Sequence, residues 1–357
     1  MCTKDHKMKV AVGLHKNSID DWDSAVEFAV GAEKLGVDSL WNAEGWAHDA
    51  ATPLAYLMAK TTSLRFGSGI FQVGTRTPGL IAMTAQALDS LSGGRFMLGL
   101  GTSGPQVIEG WHGIPFSKPV SHTKEVIEIC RKIFTGEKFS YDGQHWQLPL
   151  TKERGGTGLS KSLLPGATPT PNLPIYVASL GPRNLHMTGE LADGWLGTVF
   201  LPETADVFLN PLKLGAKEAG RSISDIDIVV GTRVQFTEDT EKLAEELKPG
   251  LAFQFGAMGT KNQNFYADAY RRQGWADEVS RIQSLWIAGK RDEARNQVPT
   301  DMVLRSVVAG SPAEVKEKLT LYKQVGVNTF RVEPAGRSIT DRLDTLAETM
   351  KIINEIS

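Results

Sequence analysis

The chain has 357 residues, 41% hydrophobic and 22% charged, with a formal net charge of -2. That is ordinary globular composition without a basic block, which excludes nucleic acid as a partner. No apolar run approaches the roughly 18 residues of a membrane span and none follows the charged start MCTKDHKMKV, so no membrane is expected and the expected setting is the cytoplasm.

The first third alternates. KVAVGL (9–14) reads as a strand, and residues 24–35 then set Ala25, Phe28, Ala29, Ala32 and Leu35 at helical spacing. SLWNAE (39–44) is a strand, 52–61 a helix and RFGSGIF (65–71) a strand. Residues 77–91 read as helix, RFMLGLG (95–101) as strand and 118–135 as helix. Successive strand–helix units predict parallel strands joined by right-handed crossovers.

The alternation stops at 136–174, a stretch rich in glycine and proline that is too long for a plain connection. It resumes with PIYVAS, helix 182–192, DGWLGT, helix 203–219, DIDIVVGTRVQF and helix 239–247. Residues 251–300 form a second, helical excursion before the last strand, GVNTFRVEP, and the last helix, 338–355. Eight strands and eight helices of this length predict one domain over 1–357, a closed (β/α)8 TIM barrel. Its insertions follow helix 4 and separate strands 7 and 8.

Two cysteines, Cys2 and Cys130, are too few for a disulfide framework, and Cys130 shares an apolar stripe with Val126, Ile127, Ile133 and Phe134. The seven histidines show no metal-ligand spacing, so no metal is expected.

Gly99-Leu100-Gly101-Thr102-Ser103-Gly104 matches the G-x-G-x-x-G dinucleotide fingerprint. That fingerprint belongs to the first βα turn of its domain, with an acidic residue closing the next strand about 20 residues on. Here three units precede it and no such strand follows, so the Rossmann reading fails. In a barrel these glycines end strand 4 at the mouth, where glycine permits close backbone approach to a flat ligand and offers amides to an anion. A plain glycine-rich turn is the alternative.

The other strand ends bring Leu14 and His15, Glu44, Gly69 to Gln72, Ala178 and Ser179, Thr198, Arg233 and Glu333 to the same mouth. Gly181 and Pro182 start a helix whose free amides form an anion site that Arg183 supplements. Glu44 and Glu333 are a candidate carboxylate pair, but no strand 4 or strand 7 carboxylate accompanies them. The mouth is otherwise aromatic and glycine-rich, which argues against glycoside hydrolysis and for a planar ligand with a phosphate at one end.

LWNAEGWAHDAATPLAYLMAKTTSLRFGSGI, SGPQVIEGWHG, GPRNLHMTGELADGWLG and AMGTKNQNFYADAYRRQGW together resemble the bacterial-luciferase-like flavin/deazaflavin oxidoreductase superfamily. The branch they resemble most uses coenzyme F420 and includes enzymes similar to methylenetetrahydromethanopterin reductase. The resemblance implies a non-prolyl cis peptide at Gly69-Ile70, bulging against the middle of the tricyclic ring. It places Gly101, Thr102, Ser103 and Gly104 along the ring and ribityl chain. Ala178, Ser179, Gly181, Pro182, Arg183 and Asn184 fall near the phosphate, and Glu44 beside the headgroup as a hydrogen-bonding or proton-transferring group. His112 is the second proton-transfer candidate, since imidazole titrates near neutrality. Trp46, His48, Glu109 and Trp111 are the substrate-facing candidates.

Sugar-phosphate oxidation is disfavoured, because Gly45 follows Glu44 where the relevant relatives carry histidine, and Gly104 stands near their strand 4 loop glutamate. Three readings stay open: hydride transfer between F420 and a small organic substrate, an FMN-dependent luciferase-like monooxygenase, and a non-catalytic flavin-binding barrel. Lys152, Arg154 and Lys161 are candidates for the coenzyme's oligoglutamate tail. A homodimer is expected from the resemblance.

Overall fold

The computed structural model describes residues 7–260 and 263–356, so Cys2 lies outside the described residues. Among these, eight parallel strands make the barrel: β1 (Lys9–Gly13), β2 (Ser39–Asn42), β3 (Arg65–Ser68), β4 (Phe96–Gly101), β5 (Ile175–Val177), β6 (Gly194–Leu196), β7 (Asp227–Phe236) and β8 (Thr329–Pro334). They pair in chain order, and the ring closes because β8 pairs with both β7 and β1. Two short strands extend it. Phe71–Gln72 pairs with β4 beyond the end of β3, and Val308–Gly310 lines the edge of β7 past the point where β6 stops.

The barrel helices are α1 (Trp22–Leu35), α2 (Ala51–Met58), α3 (Pro78–Ser92), α4 (Pro119–Phe134), α5 (Pro182–Leu191), α6 (Asp206–Glu218), α7 (Pro312–Gln324) and α8 (Ile339–Ile356). Their ends are written locally. The Thr77 side chain accepts from the Leu80 N–H, Pro78 opens the first turn of α3, and Gly93 closes the helix at φ +69°.

Two apolar layers hold the barrel. Between strands and helices pack Phe28, Leu40, Leu54, Phe66, Phe96 and Phe330. Inside the barrel lie Ala11, Trp41, Met97, Tyr176, Leu196 and Val229. A Cβ at Gly67 would fall 2.3 Å from the Trp41 ring, so glycine there lets the indole lie across the interior. Cys130 is fully buried in the outer layer, and burial pushes its thiol up to about 12.

The second excursion starts earlier than residue 251. Pro249-Gly250 reads as a helix stop in sequence, yet a single helix runs over Thr240–Ala257 through Pro249. Its Ala244, Ala252 and Phe255 are buried with Tyr270, Val279 and Met302 in a core belonging to the excursion, and that burial overrides the local breaker. Residues 239–247 are therefore part of the insertion and not the seventh barrel helix. That helix is α7, opened by a capping box between Ser311 and Glu314. In the first excursion, strands Tyr141–Asp142 and Gln147–Leu148 form a hairpin whose turn amides at Gln144, His145 and Trp146 donate to Glu125 of α4. Among the described residues no helix is long and apolar enough to cross a membrane.

Candidate active site

The Gly69-Ile70 peptide is cis. Immediately before it, Ser68 Oγ accepts the Gly99 N–H at 2.9 Å and donates to the Gly99 carbonyl at 2.8 Å, fastening β3 to β4. Ile70 and Ala178 rest together on the cluster of Trp41, Met97, Tyr176 and Leu196, forming an apolar shelf at the mouth.

The glycine motif has a local explanation. A Cβ on Gly99 would lie 1.8 Å from the Ser68 carbonyl oxygen, and one on Gly101 would lie 2.8 Å from Ile70 Cγ1. These two glycines serve the close packing of β4 on β3 and on the Ile70 bulge. Gly104 differs, with only Gln106 Oε1 near the position of its missing Cβ, at 3.3 Å. Ser103 has φ +55°, and Thr102 Oγ1 donates to the Ser103 carbonyl. The loop after β4 is thus sharply turned at Ser103.

Glu44 follows β2 with its side chain 9% exposed, against Arg76 at 16%. Arg76 Nε and Nη2 donate to its two oxygens at 3.1 and 2.7 Å, and the amides of Gln72 and Ala50 donate at 3.4 and 3.1 Å. Those four donors match the four lone-pair sites of a carboxylate. In this arrangement Glu44 is a clamp that ties the loop after β2 to the end of β3. The hydrogen bond to Glu44 raises Arg76 above its ordinary value.

At β5 the Ser179 side chain is buried and shares a hydrogen bond with Thr188 of α5, so its hydroxyl faces the helix and only its backbone is left to the mouth. Gly181 occupies the N-cap of α5 without a side-chain cap, and Pro182 takes the first turn. Arg183 is exposed, whereas Asn184 Oδ1 is buried without a partner. Beside them the structure brings Arg272, which the sequence reading did not single out. Its Nη2 donates to the Leu180 carbonyl at 2.7 Å, and its buried Nη1 has no partner. Burial pushes this guanidinium below its ordinary value. The sequence signal was the Arg-Arg pair in AYRRQGW, which only the fold carries across to β5.

Trp46, His48, Glu109, Trp111 and His112 are exposed on the loops after β2 and β4. His48 Nε2 meets Asp20 at 3.2 Å, and Glu109 accepts the Phe116 N–H at 3.0 Å. None of the five borders the large cavity at this end of the barrel, a space of about 630 Å³ beside β6, β7, β8 and β1. Its polar wall carries His15, Thr198, Arg233, Glu333 and Arg342, and the insertion supplies Leu251, Phe253, Met258, Tyr270 and Val303. The sequence had put His15, Thr198, Arg233 and Glu333 at the mouth without a role. Burial, then the charges of Arg342 and Arg331, lower His15 to about 4. The insertion is fastened over the mouth by Gln273, whose Nε2 donates to the Val199 carbonyl and whose Oε1 accepts the Leu201 N–H. Phe265 of the insertion also meets Phe116 of the loop after β4, with ring centroids 6.4 Å apart. Among the described residues no cluster of three or more His, Cys, Asp or Glu is arranged to hold a metal ion.

A closed parallel barrel with an apolar shelf, an uncapped helix N-terminus and a roofed cavity at its C-terminal face defines a cofactor-using TIM-barrel enzyme. The chain belongs to the luciferase-like monooxygenase family, whose sequence profile matches residues 6–329. It is 39% identical over 314 residues to a protein of Mycobacterium tuberculosis provisionally named a coenzyme F420-dependent oxidoreductase, covering 87% of this chain and 90% of that one. It is 30% identical over 223 residues to 5,10-methylenetetrahydromethanopterin reductase of Methanolobus tindarius, covering 62% and 64%. The structure of the coenzyme F420-dependent tetrahydromethanopterin reductase of Methanopyrus kandleri superimposes with a TM-score of 0.76 at 23% identity, covering 96% and 97% of the two chains.

Proposed function

We propose that the chain is a coenzyme F420-dependent oxidoreductase that moves a hydride between C5 of the deazaflavin and a small organic substrate. The observation that carries this reading is the shelf of Ile70 and Ala178 over Trp41, Met97, Tyr176 and Leu196, with the uncapped start of α5 three residues beyond Ala178. A flat ring fits the shelf, and an anion fits the first-turn amides. The partnerless Nη1 of Arg272 beside Leu180 supplies a donor at the same end. Similarity to the M. tuberculosis relative supports a deazaflavin as that ring.

Bound there, the deazaflavin supplies or accepts two electrons with one hydrogen, because it carries carbon where a flavin carries N5. Gly69, Ile70, Gly101, Thr102, Ser103 and Gly104 line the ring and its chain. Ala178, the Ser179 backbone, Gly181, Pro182, Arg183 and Asn184 surround the phosphate. Glu44, held by Arg76, keeps the loop after β2 against the ring's edge. His112 stands with Trp46, His48, Glu109 and Trp111 on the rim across which substrate enters, outside the cavity, and is the candidate to exchange a proton with substrate there. The insertion, reaching Phe116 through Phe265, restricts water. Leu80, Met83 and Leu91 expose apolar surface on α3, which supports a homodimer formed through barrel helices in the cytoplasm; sedimentation of the purified protein checks the dimer.

The test is a fluorescence titration of the cofactor-free protein with oxidised F420 and, separately, FMN. Micromolar or tighter binding of F420 alone is the expected result. Binding of FMN alone would replace this reading with an oxygen-using monooxygenase.

A further inference from the structure

Toward its mouth the barrel interior is apolar on one side and polar on the other. Inward positions on β2, β4, β5 and β6 hold Trp41, Met97, Tyr176 and Leu196. On the opposite side Arg331 is in register with inward-facing Ala11 and with Gly231. Strand alternation then brings Arg233 and Glu333, themselves in register, to the same face one pair higher. The small residues Ala11 and Gly13 leave room that large side chains fill elsewhere, whereas glycine at 231 is required because a Cβ there would lie 1.8 Å from the Arg331 carbonyl oxygen.

The cavity opens from Gly231 past Arg233 and Glu333 to the underside of helix Thr240–Ala257. Its wall carries the guanidiniums of Arg233 and Arg342 and one carboxylate. That carboxylate, Glu333, contacts Arg331 at 3.5 Å. Arg233 directs Nε and Nη2 to the Gln235 amide oxygen, and Arg342 directs Nε and Nη1 to the carbonyls of Gly336 and Lys16. Among the described residues neither Arg233 nor Arg342 has an ion-pair partner. His15 Nε2 is buried at the same wall without a hydrogen-bond partner. The outer end is apolar, with Leu247, Leu251, Met258 and Val303. Two guanidinium groups on a sheltered wall whose one carboxylate is already paired with Arg331 favour an anion, because a charge away from water is stabilised by pairing.

We propose that this cavity binds an organic anion with an apolar body, its carboxylate, phosphate or sulfonate head at Arg233 and Arg342 and its body beneath helix Thr240–Ala257. Resting on the F420 reading, it is the seat of the substrate. A volume of about 630 Å³ accommodates a body of two fused rings or a medium acyl chain.

The experiment uses the full-length protein and two fluorescent probes with the same aromatic body, 8-anilino-1-naphthalenesulfonate and N-phenyl-1-naphthylamine, the second lacking the sulfonate. The sulfonate is expected to bind at least about tenfold more tightly than the neutral probe. R233Q and R342Q should each weaken the sulfonate about tenfold while leaving the neutral probe within about twofold. Decanoate should displace the sulfonate where decanol does not. Equal affinity of the two probes for the wild-type protein overturns the proposal and needs no variant. Unchanged sulfonate binding in folded R233Q and R342Q overturns it as well. Displacement of the sulfonate by saturating F420 would assign the arginines to the coenzyme's acidic tail and overturn the substrate seat. The probe comparison is read whether or not F420 binds, so it stands or falls apart from the coenzyme reading.

Discussion

Arg76 grips both carboxylate oxygens of Glu44, through Nε at 3.1 Å and Nη2 at 2.7 Å, at the point where the loop after β2 meets the end of β3. A bidentate pair this sheltered fixes the loop in one orientation. Removing one partner leaves the other charge poorly solvated, at a cost of about 3 kcal/mol. E44Q and R76A should therefore show the same loss of stability and the same weakening of cofactor binding, and the double variant should be little worse than either. Urea unfolding of all four proteins, read as a double-mutant cycle, checks this. A selective fall in kcat of about a hundredfold in E44Q with unchanged stability would instead make Glu44 a proton-transfer group.

The glycines of strand β4 separate packing from binding. A methyl group at Gly99 meets a backbone carbonyl at 1.8 Å that cannot rotate away, whereas at Gly101 it meets the Ile70 side chain at 2.8 Å. G99A should cost at least about 3 kcal/mol of stability, and G101A about 1–2 kcal/mol while displacing Ile70 and weakening cofactor binding about tenfold. Thermal unfolding and a cofactor titration on the two variants separate these effects.

The same strand shows what sequence reveals. Alternating apolar runs and their turn residues are local, so the barrel and most helix limits were legible from Lys9 to Ile356. Gly99 was visible as a glycine at a strand end, but the Ser68 carbonyl it avoids lies on another strand, and no spacing rule points to it. The helix at 240–257 misled for the opposite reason. Pro249-Gly250 is a strong local stop, and only contacts such as Phe255 with Tyr270, ring centroids 5.0 Å apart, show why the helix continues. Arg272 and Arg342 escaped, and Arg233 stood at the mouth without a role, because their significance lies in the partners they lack.

Gln273 joins the insertion to the barrel. It is 5% exposed, its Oε1 accepts from Leu201 N–H and Thr204 Oγ1, and its Nε2 donates to the carbonyls of Val199 and Ala269. Val199, a β-branched residue, is held there at φ +52°. Q273A should leave these groups unpaired, cost about 2–3 kcal/mol and speed hydrogen exchange at residues 199–204 ahead of the barrel strands. Exchange rising uniformly across the molecule would mean that the side chain supports global stability and not the attachment of the insertion.

His15 gives the protein an acid-sensitive step. Its ring packs edge-on to Phe28, with centroids 4.9 Å apart, and burial together with Arg342 and Arg331 lowers its pKa from 6.5 to about 4. Between those values the unfolded chain holds a proton that the folded chain rejects. Stability therefore falls as pH drops from about 6.5 to about 4, with a slope approaching 1.4 kcal/mol per unit. H15Q removes the titrating group, so the wild type should lose roughly 3 kcal/mol relative to H15Q across that window. R342Q removes one of the repelling charges and should raise the His15 pKa, narrowing the gap. Urea midpoints measured at half-unit steps of pH, with the imidazole titration followed by NMR, check both. A His15 that titrates near 6.5 in the folded protein would refute the account, since burial and two arginines would then leave its neutral form no better off than in water.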